Sequence, residues 1–214
     1  DGVTPLHWAC RRGHANVVKI LLEEGSANIE STSRMGETPL HEASFYGSHE
    51  CARALLDHGA NVNAVNEKGN TALHIACERG DKRMVQVLIK GGGEGLDVSL
   101  GNNNKDTPLH IAVNRSRGQD EALVDLVLSR IQEKRMAQLV LSAINSQGKT
   151  PMDLARKFYS SSITSSVTSE MISSALLVEE EAKDLRSSQS TEPTLDEEAT
   201  FDNSSVEPNS AVEA

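Results

Sequence analysis

Four histidines recur at nearly equal spacing and are the residues in this chain best suited to bind a metal ion. Each stands three residues after a threonine, in the pairs Thr4 and His7, Thr38 and His41, Thr71 and His74, and Thr107 and His110. A shared zinc ion needs ring nitrogens about 2 Å from the metal, whereas units of a stacked repeat lie about 10 Å apart. We therefore expect the threonines and histidines to be structural, and we predict no metal site and no cofactor.

The cysteines and glycines show no catalytic pattern either. Cys10 and Cys77 occupy the same place in two repeated segments, where Ser44 and Val113 stand in others, which predicts a small, semi-buried position. No cysteine has a histidine at the spacing of a catalytic pair. The glycine-rich run Gly91–Gly95 lacks the Lys-Ser/Thr ending of a phosphate loop, so we interpret it as a flexible finger. The chain is therefore predicted not to be an enzyme.

Charge is distributed very unevenly along the 214 residues. Residues 1–159 hold 19 acidic and 19 basic side chains, while residues 160–214 hold 12 acidic and 2 basic ones. Phosphate binding needs Lys and Arg, so direct nucleic-acid binding is not expected. No apolar run approaches the roughly 20 residues that cross a bilayer, so no membrane insertion is expected. The odd count of three cysteines favours a reducing compartment, and we predict a cytoplasmic or nuclear location.

The histidines belong to a motif, Thr-Pro-Leu-His-x-Ala, that must be positioned by helices. Thr before Pro predicts a helix N-cap followed by Pro at the first helical position. A glycine nine residues after each of the first three threonines predicts the end of a short first helix. A second helix follows, with apolar residues at helical spacing as in Val17–Leu22. A fifth segment from Thr150 keeps the frame but has Asp153 in place of the histidine.

This pattern resembles the ankyrin repeat, whose period is about 33 residues. The resemblance covers residues 1–157 and implies an all-α fold: a solenoid of paired antiparallel helices with β-turn fingers, followed by a disordered tail. The repeats span about 1–33, 34–66, 67–102 and 103–145, with a cap at 146–157. Because Asp1–Val3 looks like the end of a finger, we expect the chain to be a fragment with further repeats upstream.

Two departures from the repeat carry predictions of their own. Lys105 replaces the turn glycine before the fourth motif. The fourth unit also contains about eight additional residues within Gln132–Ser142. Because Gln132–Gln138 is rich in good helix formers, its second helix is predicted to run long.

The C-terminal segment, residues 158–214, is acidic and rich in Ser and Thr, a composition that predicts disorder. Residues 168–186 could form an amphipathic helix. Three side chains resemble modification sites: Asn63 for hydroxylation, and Thr194 and Ser204 for acidophilic kinases.

In ankyrin-like solenoids, partners dock on the concave face formed by the fingers and first helices, and the resemblance carries these positions onto this chain. They are Arg11, Arg12, Arg34, Met35, Glu37, Phe45, Tyr46, Glu67, Lys68, Asn70, Glu78, Arg79, Asn114 and Arg115, with Asn104, Lys105 and Asp106 in the fourth finger. Phe45 and Tyr46 form a candidate hot spot, because Tyr, Trp and Arg dominate binding energetics. Phe45 could instead pack against the neighbouring repeat, and Trp8 is interpreted mainly as inter-repeat packing.

The function predicted from these features is non-enzymatic binding of one or more partner proteins. Two alternatives stay open at this point. Repeats followed by an acidic tail resemble the inhibitors of NF-κB, whose tail is regulatory. The segment could also be the targeting module of a larger enzyme or channel. Fold alone does not decide among these functions.

Overall fold

A computed structural model of the chain describes residues 2–117, 120–131 and 134–158. The chain divides into two units at Val178, and all described residues belong to the first unit. The predicted tail from residue 159 onward, the candidate helix 168–186, Thr194 and Ser204 lie outside the described residues.

Helices follow one another in pairs through the described residues, and no strand occurs in that part of the chain. The bounds are α1 Pro5–Arg12, α2 Ala15–Glu23, α3 Pro39–Tyr46, α4 His49–Asp57, α5 Ala72–Arg79, α6 Lys82–Gly92, α7 Pro108–Ser116, α8 Glu121–Leu128, α9 Lys134–Leu141 and α10 Pro151–Phe158. Each pair is joined to the next by an extended finger. The helical repeat with projecting fingers, which the resemblance implied, is confirmed.

The first helices begin as their sequence predicts. Thr4, Thr38, Thr71 and Thr107 are N-caps in extended conformation, and three of them precede a proline at the first helical position. The helices end where the chain takes a left-handed conformation, which glycine supplies in the first three repeats and Arg117 in the fourth. The fingers also contain a left-handed residue, two positions before each threonine. Lys105 occupies this position before Thr107 and has a φ of 59°.

Stacking of like elements builds the core. The first helices α1, α3, α5, α7 and α10 pack one on the next, and the second helices α2, α4, α6 and α8 do the same. The motif leucines Leu6, Leu40, Leu73 and Leu109 are at most 2% exposed. Because each unit buries its apolar face against its neighbours, stability resides mainly between repeats.

The prediction of a long second helix in the fourth repeat is wrong. Helix α8 ends at Leu128, and α9 starts separately at Lys134. The hydroxyl of Ser129 donates to the carbonyl of Leu126 at 2.7 Å, and Ile131 turns inward until it is 2% exposed. The burial of Ile131 outweighs the helix propensity of the residues that follow it, so α8 does not continue.

The interpretation of residues 91–95 as a flexible finger is also wrong. Helix α6 continues to Gly92, and Gly93–Gly95 forms a 3₁₀ turn. A Cβ atom at Gly91 would lie 2.6 Å from Cδ1 of Leu56. The glycine is therefore a packing residue that lets α6 approach α4 closely.

Candidate functional site

The four motif histidines form a series of hydrogen bonds that runs from each repeat to the next. In every case the threonine N–H donates to histidine Nδ1 at 3.1 Å. Since Nδ1 accepts, the ring proton sits on Nε2, which donates to a finger carbonyl of the following repeat at 2.9–3.1 Å. The accepting carbonyls belong to Glu37, Asn70, Asp106 and Lys149. Each histidine thus fixes its own helix start and the next finger.

This arrangement occupies both nitrogens of each ring. Within the described residues, no group of three or more potential metal ligands is brought together. Burial lowers the pKa of His74 to about 4 and also lowers the pKa of His41 and of His110. In the fifth unit, Asp153 accepts from the N–H and hydroxyl of Thr150, both at 2.9 Å, but has no donor with which to reach a further finger.

Asparagines hold the fingers rigid beneath the candidate surface. The Oδ1 atom of Asn66 accepts from the N–H groups of Lys68 and Asn70, and its Nδ2 donates to Glu37 Oε1 at 2.8 Å. Asn102 repeats this arrangement and donates to Asn70 Oδ1 at 2.9 Å. Glu37 and Asn70, both predicted to contact a partner, are therefore half-buried and engaged within the stack. Burial also raises the pKa of Glu37 above its usual range.

Aromatic and arginine side chains in mutual contact form a row across the first three repeats, which we call the aromatic row: Trp8, Arg11, Tyr46, Phe45 and Arg79. The Arg11 guanidinium lies 4.8 Å from the ring centroid of Trp8 and 5.3 Å from that of Tyr46. The Phe45 and Tyr46 rings meet edge to face at 5.1 Å, and Arg79 lies 4.8 Å from the Phe45 centroid. The three aromatic side chains remain 47–49% exposed.

Glu42 holds the aromatic row in place through Arg11. Its two carboxylate oxygens accept from Arg11 Nη2 at 2.7 Å and from Nε at 3.2 Å. The Glu42 side chain is only 8% exposed, against 28% for Arg11. A bidentate bond to a buried carboxylate sets the plane of the guanidinium, and with it the positions of the rings that Arg11 contacts.

Two adjoining grooves run along the fingers and the ends of the first helices. The first, of about 490 Å³, lies beside Tyr46, Phe45 and Met35. The second, of about 780 Å³, is polar and includes Arg115 and Arg117. Lys68 borders both grooves, so they form one continuous surface.

The remaining residues predicted for the surface are distributed along it. All of them are exposed: Arg12, Arg34, Met35, Glu67, Lys68, Glu78, Arg79, Asn114 and Arg115. The alternative in which Phe45 packs against the next repeat is partly present, because Arg79 of that repeat covers one side of its ring while half of the side chain stays exposed.

Trp8 and Glu42 are the site residues that sequence reasoning undervalued. Both occupy the variable position of the motif, after the histidine. In the next two repeats that position holds Ile75 and Ile111. The contrast between these isoleucines and the Trp8 and Glu42 of the first two repeats was the sequence feature that could have indicated the site. It becomes interpretable only when Arg11 is seen to contact both side chains.

The cysteines lie deeper than predicted. All three, Cys10, Cys51 and Cys77, are free thiols and fully buried, whereas a semi-buried position was predicted for Cys10 and Cys77. Burial raises the pKa of Cys77 to about 12, and a hydrogen bond with Cys51 raises that of Cys10. Asn63 is half-buried, and its amide bonds both to the Gly95 carbonyl and to the Asp97 N–H, so its predicted hydroxylation stays a prediction.

Stacked helix pairs joined by projecting fingers define a helical repeat protein. The family model described as ankyrin repeats (3 copies) matches residues 1–66 and 59–135. The chain belongs to the ankyrin-repeat family, whose repeats generally mediate protein–protein interaction. Along the described residues, no helix has the length and apolar content needed to span a bilayer.

Curated relatives share the repeat region. A putative ankyrin repeat protein of Fowlpox virus (strain NVSL) is 31% identical over 77% of this chain and 46% of its own length. The mouse B-cell lymphoma 3 protein homolog is 40% identical over 54% of the chain and 25% of its own length. The E3 ubiquitin-protein ligase KEG of Arabidopsis thaliana is 30% identical over 53% and 9%. The chain therefore matches less than half the length of each of these relatives.

Proposed function

We propose that this chain is a non-enzymatic recognition module that binds a partner protein on the surface formed by its fingers and first helices, with the aromatic row as the main contact. The observation that carries the proposal is the coexistence of exposure and rigidity in Trp8, Tyr46 and Phe45. Each ring is about half exposed, yet each is held by an arginine at 4.8–5.3 Å.

Energetics favour this row as a binding centre. Association usually costs about 0.5–1.5 kcal/mol for every rotamer-rich side chain that must be ordered. The aromatic row is ordered before a partner arrives, because Glu42 fixes Arg11 and Arg11 contacts two of the rings. Large aromatic and arginine side chains are also the residues whose truncation costs most at interfaces, about 2 kcal/mol or more at hot spots.

A comparison of two double variants of the full chain tests the proposal. Phe45→Ala with Tyr46→Ala removes the centre of the row, and Leu139→Ala with Ile144→Ala removes two apolar side chains of similar exposure, 54% and 58%, outside both grooves. Circular dichroism should show the same helix content for both. Affinity capture from cell lysate should recover partners with the wild type and the control but lose them with the first variant. Retention of the same partners by both variants would refute the proposal.

A cytoplasmic or nuclear location is part of the proposal and is supported by the three free thiols. The match to an E3 ubiquitin-protein ligase supports a second candidate, in which the same surface is the targeting module of a larger enzyme. The function as an NF-κB inhibitor depends on the tail, which lies outside the described residues, and stays a prediction.

A further inference from the structure

We propose that the partner is an extended acidic peptide segment with one large apolar side chain, which it places on the aromatic row while its carboxylates lie along the second groove. This inference rests on the proposed function and adds the chemistry of the partner. It follows from the different character of the two adjoining grooves.

The second groove has three cations that are available for recognition. Lys68, Arg115 and Arg117 border it, and within the described residues none of the three forms an ion pair with a carboxylate. Arg115 is anchored by its Nε, which donates to the Glu78 carbonyl at 3.2 Å. Arg117 follows the end of α7 in a left-handed conformation with φ of 44°.

Two acidic side chains, Asp106 and Glu78, border the same groove, so its three cations exceed its carboxylates by one. The carboxylate of Asp106 accepts from Asn145 Nδ2 at 2.7 Å, which holds it at the fingers and leaves its charge in place. Glu78 is exposed and lies beside the groove. In the first groove, by contrast, Arg11 is already paired with Glu42, so the apolar rings dominate there. The surface is therefore apolar at one end and cationic at the other.

The length of the partner segment follows from the repeat spacing. Tyr46 ends the first helix of the second repeat, and Arg115 stands near the end of the first helix of the fourth. Two repeat steps of about 10 Å span roughly 20 Å. An extended peptide rises about 3.3 Å per residue, so about six residues separate the apolar side chain from the distal carboxylates. Lys68 stands between the two ends.

A single-stranded nucleic acid is the competing ligand, because it too combines bases that stack with negative charge. The structure favours a peptide. Glu37 borders the groove beside the rings, where phosphates would have to follow the stacked bases. Residues 1–159 also carry equal numbers of acidic and basic side chains, without the basic excess that phosphate binding requires.

Selection from a phage library of random twelve-residue peptides against the immobilised full chain tests the inference. We expect enrichment of peptides with one Trp, Phe, Leu or Met about six positions from a pair of Asp or Glu residues. The best enriched peptide is then synthesised with a fluorophore and titrated with wild type and variants. Its affinity should fall as salt is raised, because exposed charges are screened.

Charge-neutralised variants give the sharpest measurement. Lys68→Gln, Arg115→Gln and Arg117→Gln together should weaken the selected peptide at least tenfold. The matched control neutralises three exposed cations elsewhere and should change affinity less than twofold; it combines Lys19→Gln, Arg53→Gln and Lys90→Gln. An Asn and Gln version of the peptide should lose affinity for the wild type, but not for the first variant.

The outcomes separate this inference from the proposed function. If Phe45→Ala with Tyr46→Ala abolishes peptide binding while neutralising the groove has no effect, the binding surface stands and the acidic partner is wrong. If neither variant matters, both are wrong. Failure to enrich any peptide, or displacement of the peptide by an oligouridine of equal affinity, overturns the acidic-peptide partner.

Discussion

Acidification should destabilise the repeat stack through its buried histidines, and His74 allows the effect to be calculated. Its Nδ1 accepts the Thr71 N–H at 3.1 Å, and its Nε2 donates to the Asp106 carbonyl at 3.0 Å. A second proton would have to sit on Nδ1, where it would face the Thr71 N–H donor. Protonation therefore breaks the hydrogen bond at the helix start and also places a charge in a fully buried position.

The magnitude follows from the pKa of His74, which burial lowers from 6.5 to about 4. Below pH 6.5 the unfolded chain takes up a proton that the folded chain does not, so stability is complete above pH 6.5 and falls progressively toward pH 4. At about 1.4 kcal/mol for each unit of pKa difference, the loss from His74 alone is about 3 kcal/mol at pH 4. His41 and His110 add losses of the same sign, because their pKa values are also lowered.

Urea unfolding between pH 7 and pH 4 measures this loss in the wild type and in His74→Gln. The variant should be less stable by about 1–2 kcal/mol at pH 7, because it loses hydrogen bonds of the native ring. It should then lose about 3 kcal/mol less than the wild type on acidification. His14→Gln, which changes an exposed histidine, should keep the wild-type profile. Parallel profiles for wild type and His74→Gln would show that His74 does not couple stability to pH in this way.

Three further predictions concern stability and are measured by chemical denaturation. Arg11→Met should lower the free energy of unfolding by about 2 kcal/mol, because it leaves the buried carboxylate of Glu42 unpaired. Adding Glu42→Met should recover most of this loss. If the losses from the two substitutions simply add, the ion pair does not act as a buried pair. Lys105→Gly should stabilise the chain by about 0.5–1 kcal/mol, since φ is 59° there, and a loss of stability would refute the strain argument. Gly91→Ala should destabilise the chain by about 1–3 kcal/mol, because its Cβ would lie 2.6 Å from a leucine methyl of α4. The control Gly95→Ala should be nearly neutral, because a Cβ there meets no atom within 4 Å. Equal effects of the two substitutions would contradict the packing role of Gly91.

The start of each first helix could be predicted from sequence because all of its causes are local. A threonine, a proline and a histidine within four residues contain the cap and its acceptor, as Thr38 and His41 show. The repeat period then placed equivalent residues one above the next. The left-handed position before each motif was also visible, although Lys105 had to be recognised as occupying a glycine position.

Contacts between repeats were beyond reach of the same reasoning. The close approach of α6 to α4 depends on Leu56 lying against Gly91, and the end of α8 goes with burial of Ile131. Glycines and helix formers have clear local preferences, but burial against a neighbouring element outweighs the few tenths of a kcal/mol that such preferences supply per residue.

The aromatic row shows the same division. The exposure of Phe45 and Tyr46 was implied by the resemblance to the ankyrin repeat, which assigns a face to every position of the unit. The pairing of Arg11 with Glu42 and its contact with Tyr46 required three-dimensional structure, because these residues are about one repeat apart in sequence and adjacent only after stacking. The contact of Arg11 with Trp8, by contrast, joins residues three apart on α1. Local hydrogen bonding is encoded within a few residues and specifies the repeat, whereas side-chain geometry on the candidate surface is created by packing of one repeat against the next.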